Sequence, residues 1–186
     1  MLALLCSALR LTGQEEETLF KKVQVVGGFG GPAVSFSQAV GDPMVMGGGG
    51  GGVVIGDLFF GGFGEGGEVR KGAENEKKVG LSYGGLWFGY TPRTQKLLHP
   101  YLTMRVGWGE LTVDYDNDDI SPEQAEEPIF TVFPEAGLEV NVFKFMRLNS
   151  AVGYRLVTGV DGFQNYVSSD FNSPVLSVML RFGRFW

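Results

Sequence analysis

Hydrophobic positions in this chain recur every second residue, not every third or fourth. Between Ile129 and Phe143, the residues Phe130, Val132, Ala136, Leu138, Val140 and Val142 share one parity, and Thr131, Glu135, Gly137, Glu139 and Asn141 share the other. After them Leu148, Val152, Tyr154 and Leu156 alternate with Arg147, Asn149, Ala151, Gly153 and Arg155. The closing segment sets Leu176, Val178, Leu180 and Phe182 against Ser177, Met179, Arg181 and Gly183, and finishes on the aromatic Trp186. A two-residue period sends successive side chains to opposite faces of a strand. It predicts strands over Val25–Gln38 (interrupted near Gly30-Gly31-Pro32), Met44–Ile55, Leu58–Gly64, Lys78–Thr91, Tyr101–Tyr115, Ile129–Phe143, Arg147–Val160 and Ser173–Trp186. Clean alternation lapses at Gly84-Gly85 and Gly107–Gly109, where bulges are expected.

The connections alternate in character. Gly56-Asp57 reads as a tight hairpin, and Pro92–Pro100 and Lys144–Met146 are short or plain. Glu65–Lys77, Asp116–Pro128 and Asp161–Asn172 are longer and polar. Eight consecutive strands place the long connections on one side and both termini on the other, as in an up-and-down antiparallel barrel. Periodicity leaves two environments open. In a soluble lipid-binding barrel the apolar face turns inward, whereas in a transmembrane barrel it meets hydrocarbon and the polar face lines the interior.

Three features favour the membrane. The polar face is dense in Gly, Ala and Ser, which suits a narrow interior. Tyr83, Trp87, Phe88, Tyr90, Trp108, Tyr154 and Trp186 gather toward predicted strand ends, where interfacial aromatic belts lie. The chain also ends on the closing strand, Ser173–Trp186. Given a membrane, the lack of any run of about 20 apolar residues leaves a closed barrel as the way to satisfy a spanning backbone.

Composition narrows the functional classes. Thirty of 186 residues are glycine, more than twice the usual share, and they lie within Val-, Leu- and Phe-rich runs with no collagen period. A net charge of −6 argues against nucleic acid as a partner. The one cysteine, Cys6, excludes an intrachain disulfide and a C-x-x-C site. Met1–Leu11 has the apolar character of a secretory signal. The expected organisation is a signal segment over 1–14, a short periplasmic leader over 15–22, and one barrel domain over 23–186.

Four groups invite a chemical reading. Arg105, Glu135, Glu139, Arg147, Arg155 and Arg181 all have the interior parity. Buried charges have to pair, so they predict a Glu–Arg network in the lumen, either a structural plug or the lining of a narrow passive pore. Asp114, Asp116 and Asp118 offer alternate oxygen ligands to Ca²⁺, but the EF-hand pattern is broken because its glycine position holds Asp119. His99, the only histidine, falls in a predicted turn on the periplasmic side, opposite Ser168, Ser169 and Ser173, so a nucleophile–base pair is not expected. The run Gly47–Gly52 lacks the G-K-[ST] ending of a phosphate loop and reads as relief of crowding in a curved wall, or as a place where a protein or lipid chain packs closely. No cofactor is expected.

The segments GGFGGPAVSF, VGLSYGGLWFGY, PEAGLEVNVFKFMRLNSAVGYRLVTGV and SPVLSVMLRFGRFW resemble small outer-membrane barrel proteins of Bacteroidota, similar in shape to the eight-stranded OmpA/OmpX type. In that resemblance Leu176, Val178, Leu180, Phe182 and Trp186 form the insertion strand. It implies an outer-membrane address, lipid and lipopolysaccharide as neighbours, insertion by barrel-assembly machinery, and no catalytic motif. The expected function is non-enzymatic: a structural or interaction protein displaying external loops, with an envelope protein as a possible partner.

Overall fold

The computed structural model describes residues 25–71, 77–115 and 125–185. Seven long strands follow one another: β1 (Val25–Ala39), β2 (Asp42–Ile55), β3 (Leu58–Lys71), β4 (Lys77–Tyr90), β5 (Leu98–Tyr115), β6 (Ala125–Phe143) and β7 (Met146–Thr158). A small hairpin, β8 (Asp161–Phe163) and β9 (Tyr166–Val167), and a 3₁₀ turn over Ser168–Phe171 precede the last strand, β10 (Ser173–Gly183). Every long strand pairs antiparallel with its neighbours, and β1 pairs with β10, closing an eight-stranded barrel. Pairs such as Phe29↔Gly183 and Phe36↔Leu176 set the closing register. One end carries the turns 56–57, 91–97 and 144–145; the other carries the Val40-Gly41 hairpin and the remaining connections.

Burial follows strand parity. Leu138 is 50% exposed and Val152 63%, while their neighbours Glu139 and Ala151 are 0% and 2%. Leu176, Leu180 and Phe182 face outward, and Ser177, Met179 and Arg181 face the lumen. The outer apolar band has a definite height. On β5 it runs from Leu98 to Trp108, and Glu110 and Asp114 continue the same face. About ten residue steps of roughly 3.4 Å, tilted by about 40°, give a band about 26 Å tall. Trp108 and its cross-strand partner Phe130 mark its upper edge, and Tyr90, Phe143 and Phe182 lie toward the turn end.

Several expectations require correction. β1 runs through Gly30-Gly31-Pro32 without a break; only its pairing with β10 lapses, between Gly30↔Phe182 and Ala33↔Met179, and the register is unchanged across the gap. Proline has no N–H to give a ladder, so a lapse on one side of the strand accommodates it. The registers of β3–β4, β4–β5 and β5–β6 are continuous, so Gly84-Gly85 and Gly107–Gly109 form no bulge. Gly85 instead makes room for its neighbour: a Cβ there would strike the carbonyl oxygen of Val106. Register shifts occur at Val25/Gly27 and Asn141/Phe143. β3 extends to Lys71 and β6 begins at Ala125, so the predicted loop Glu65–Lys77 is strand over its first seven residues and the predicted loop Asp116–Pro128 over its last four; Asp114 lies in β5. β10 ends at Gly183. The signal segment, the leader, Asp116, Asp118 and Trp186 lie outside the described residues.

Candidate functional site

The lumen is filled in layers. Nearest the loop end is an apolar layer that includes Met44, Met46, Leu81, Leu111 and Val157, with Phe171 of the 3₁₀ turn folded in from above. The 159–172 segment is therefore a cover over this end of the lumen. Val160 accepts from Ser168 N (3.0 Å), and the Val40 N–H at the tip of the β1–β2 hairpin donates to Asp170 O (2.7 Å). Val40 has φ +55°, a left-handed conformation that costs a β-branched residue energy and that this packing holds in place.

Below that cover Arg155 is 0% exposed. Its guanidinium donates to Phe171 O (3.2 Å), Gln38 O (3.0 Å), Ser37 Oγ (3.3 Å) and Met46 Sδ (2.9 Å). These hydrogen bonds run to carbonyls, a hydroxyl and a thioether, not to the carboxylates of the expected Glu–Arg network. Charge counting explains the difference. Among the described residues the buried lumen holds three carboxylates (Glu65, Glu135, Glu139) and four guanidiniums (Arg105, Arg147, Arg155, Arg181). The surplus cation is satisfied by backbone dipoles, and in doing so ties the cover to the hairpin.

The middle layer centres on Arg105. Its Nε lies 2.9 Å from Glu135 Oε2 and its Nη1 3.3 Å from Glu65 Oε2. Glu135 also accepts from Thr103 Oγ1 (3.0 Å) and Ser177 Oγ (2.5 Å); Glu65 accepts from Ser35 Oγ (3.3 Å) and the Tyr83 hydroxyl. Phe133, Trp87 and Phe63 surround the guanidinium, with ring centroids 5.0 to 5.4 Å away.

The layer nearest the turns centres on Glu139. Arg147 Nη1 donates to Oε1 (2.8 Å), Arg181 Nη1 to Oε2 (2.5 Å), and His99 Nε2 lies 3.0 Å from Oε1. Arg181 stacks on Phe29 (3.6 Å) and Phe59 (4.6 Å), and Arg147 on Phe185 (3.9 Å). Phe185 turns inward beyond the end of β10 and closes this end of the lumen against Phe29. Cations held against aromatic faces keep favourable electrostatics where water is excluded.

The structure thus brings Arg105 together with Glu135, and Glu139 together with Arg147 and Arg181, and holds Arg155 apart. Sequence reasoning missed four participants. Glu65 fell in a predicted loop, although it shares the parity of Phe59 and Phe63. His99 fell in a predicted turn because of Pro100, but it lies in β5 in phase with Tyr101, Thr103 and Arg105. Tyr83 and Trp87 were expected in an outer belt and are 4% and 1% exposed inside.

The arrangement can neutralise and immobilise. Both ring nitrogens of His99 are engaged, Nδ1 with Lys96 O (3.2 Å) and Nε2 with Glu139. The buried hydroxyls of Ser35 and Ser177 serve carboxylates in a different layer. Among the described residues no group of three or more metal-ligating side chains gathers.

No protein-family model matches the chain, and no curated protein matches it in sequence. Among solved structures the fold is similar to Neisserial surface protein A, with a TM-score of 0.62 and 17% identity over 84% of this chain and 95% of that one. It is similar to the N-terminal β-barrel domain of Pseudomonas aeruginosa OprF, with a TM-score of 0.55 and 14% identity over 86% of this chain and 99% of that one. It is also similar to Ail, the attachment invasion locus protein of Yersinia pestis, with a TM-score of 0.51 and 12% identity over 84% of this chain and 96% of that one. All three are eight-stranded outer-membrane barrels. At these identities the likeness is one of fold.

Proposed function

We propose that this chain is a non-enzymatic barrel of a bacterial outer membrane, a rigid plugged scaffold that displays its loop end to a partner or to the cell surface. The observation that carries the proposal is the inverted burial. A continuous band of Leu, Val, Phe and Trp faces outward at about the height of a bilayer core, while Arg and Glu are sealed inside. The rival reading as a soluble lipid-binding barrel needs Leu176, Val178 and Leu180 to converge on the interior, but Leu176 and Leu180 face outward and Arg181 occupies the inside.

Sealing also favours a scaffold over a pore. Water in a channel would wet its lining, yet Arg105, Glu135, Glu139, Arg147 and Arg181 are all at most 5% exposed. Two of the three similar structures bear names that speak of a surface protein and of attachment, which fits a displaying role. In this reading the outer wall meets membrane lipid and lipopolysaccharide, assembly machinery inserts the barrel, and an envelope protein meets the 159–172 segment and the tips of the β3–β4 and β5–β6 hairpins. Loops on a rigid scaffold commonly carry recognition.

Two variants, each with one added cysteine in a Cys6→Ser background, test the proposal. In intact cells, a membrane-impermeant maleimide is expected to label Val167→Cys and to leave Gln95→Cys unlabelled until the cells are opened. Equal labelling of both before lysis, or recovery of the folded protein without detergent, would overturn it.

A further inference from the structure

We propose that the turn end of the barrel docks an anionic phospholipid, its headgroup phosphate held by Arg93, Lys96 and Lys144 and an acyl chain lying in the groove beside Tyr90. The proposal rests on the membrane reading above. The groove, of about 350 Å³, runs over the outer wall of β3, β4 and β5, between Leu58, Phe88, Tyr90, Leu102 and Met104. It is apolar, and it ends where the 91–97 turn begins, one residue after Tyr90.

That turn presents cations. The side chains of Arg93 and Lys96 are exposed and make no hydrogen bond or ion pair among the described residues, and the same holds for Lys144 in the neighbouring 144–145 turn. Asp57 is the only acid in the three turns at this end, so one carboxylate stands against three bases. The turn is also held in shape. Asn141 Nδ2 donates to Thr94 O and Lys96 O, both at 2.8 Å, and Asn141 N donates to Leu97 O at 2.9 Å. Arg93 itself has φ +61°, a region that favours glycine or asparagine, so a long cationic side chain is kept there against its backbone preference.

The surroundings suit a lipid better than a free ion. Leu97 is 70% exposed between the two cations of its turn and β5, and Phe143 and Phe145, stacked at 5.6 Å, flank Lys144. Exposed apolar side chains beside basic ones match an amphiphile, with the tail on the wall and the phosphate at the rim. A zwitterionic lipid offers the same phosphate but brings an ammonium that the three bases repel.

The test uses the full chain folded into phosphatidylcholine vesicles containing a minority of phosphatidylglycerol, extracted in mild detergent and weighed intact by native mass spectrometry. The wild type should retain phosphatidylglycerol over phosphatidylcholine well beyond the vesicle ratio, by roughly fivefold for each base that engages the headgroup. The Arg93→Gln/Lys96→Gln/Lys144→Gln variant, checked for folding by its heat-modifiable migration, should retain the two lipids in the vesicle ratio. Excess inorganic phosphate should leave the bound phosphatidylglycerol in place, and a short-chain phosphatidylglycerol should compete poorly. A triple variant with undiminished preference, a wild type with none, or displacement by inorganic phosphate overturns the lipid site. A folded barrel without preference counts against this site alone, whereas a chain that does not fold into the vesicles overturns the membrane reading with it.

Discussion

Removing the Glu139 carboxylate is the sharpest perturbation the lumen offers. Glu139→Ala leaves the Arg147 and Arg181 guanidiniums, now 2.8 and 2.5 Å from its oxygens, without their shared anion, and takes from His99 its partner at 3.0 Å. At about 4 Å between charge centres and an effective dielectric near 20, each guanidinium–carboxylate attraction is about 4 kcal/mol before desolvation. Most of that offsets the cost of taking the ions out of water. What the variant exposes is the penalty of buried cations that have lost the carboxylate they share, and one-sided removal from a buried pair costs about 3–5 kcal/mol. Urea unfolding of the vesicle-inserted barrel, followed by tryptophan fluorescence, reads the loss directly. With a slope of about 2.5 kcal/mol per molar, the midpoint should fall by about 1–2 M. Glu139→Gln keeps the shape and one acceptor and should fall by less. Adding Arg181→Met to Glu139→Ala should recover part of the loss, because it removes a buried charge whose carboxylate is gone. A Glu139→Ala midpoint within about 0.2 M of wild type at unchanged slope would refute the plug as a source of stability.

Three further outcomes follow from the same geometry. Met104 sits near the middle of the outer band, so Met104→Arg should cost about 2–4 kcal/mol of stability in a bilayer, measured by the same titration; in a water-exposed wall it would cost almost nothing. Gly85→Ala pushes a methyl into the Val106 carbonyl and should destabilise by about 1–3 kcal/mol, whereas Gly64→Ala enters open space and should leave the midpoint where it is. In planar bilayers the folded protein should show no steady openings; a reproducible single-channel conductance would overturn the sealed lumen.

How far the fold was legible depended on how many side chains each strand carried. β6, β7 and β10 have large residues at nearly every outward position, and their faces and most of their boundaries could be read by parity alone. β3 could not, because Gly61, Gly62, Gly64, Gly66 and Gly67 erase the alternation, and so the strand was cut at Gly64 and Glu65 was lost with it. Proline misled twice, at Pro32 and Pro100, because both sit within strands that tolerate a missing donor on one side. The interior set was visible as charges of like parity, but not who pairs with whom. Arg155 and Glu135 belong to adjacent strands, yet only coordinates show that the first serves carbonyls and the second Arg105. The aromatics Phe29, Phe59, Tyr101 and Phe185 had the right parity too. Their parity marks them as interior, but the pattern does not show that Phe29 and Phe59 stack on Arg181 and Phe185 on Arg147.

The pairing of β1 with β10 has a consequence for biogenesis. The first strand of the barrel cannot complete its hydrogen bonds until the last one exists, with the whole remaining sheet between them. Until then the nascent chain carries two raw edges and a coat of grease with nowhere to hide, the conditions under which strands find the wrong company. Closure of the cylinder therefore waits on its final step, the meeting of β1 with β10.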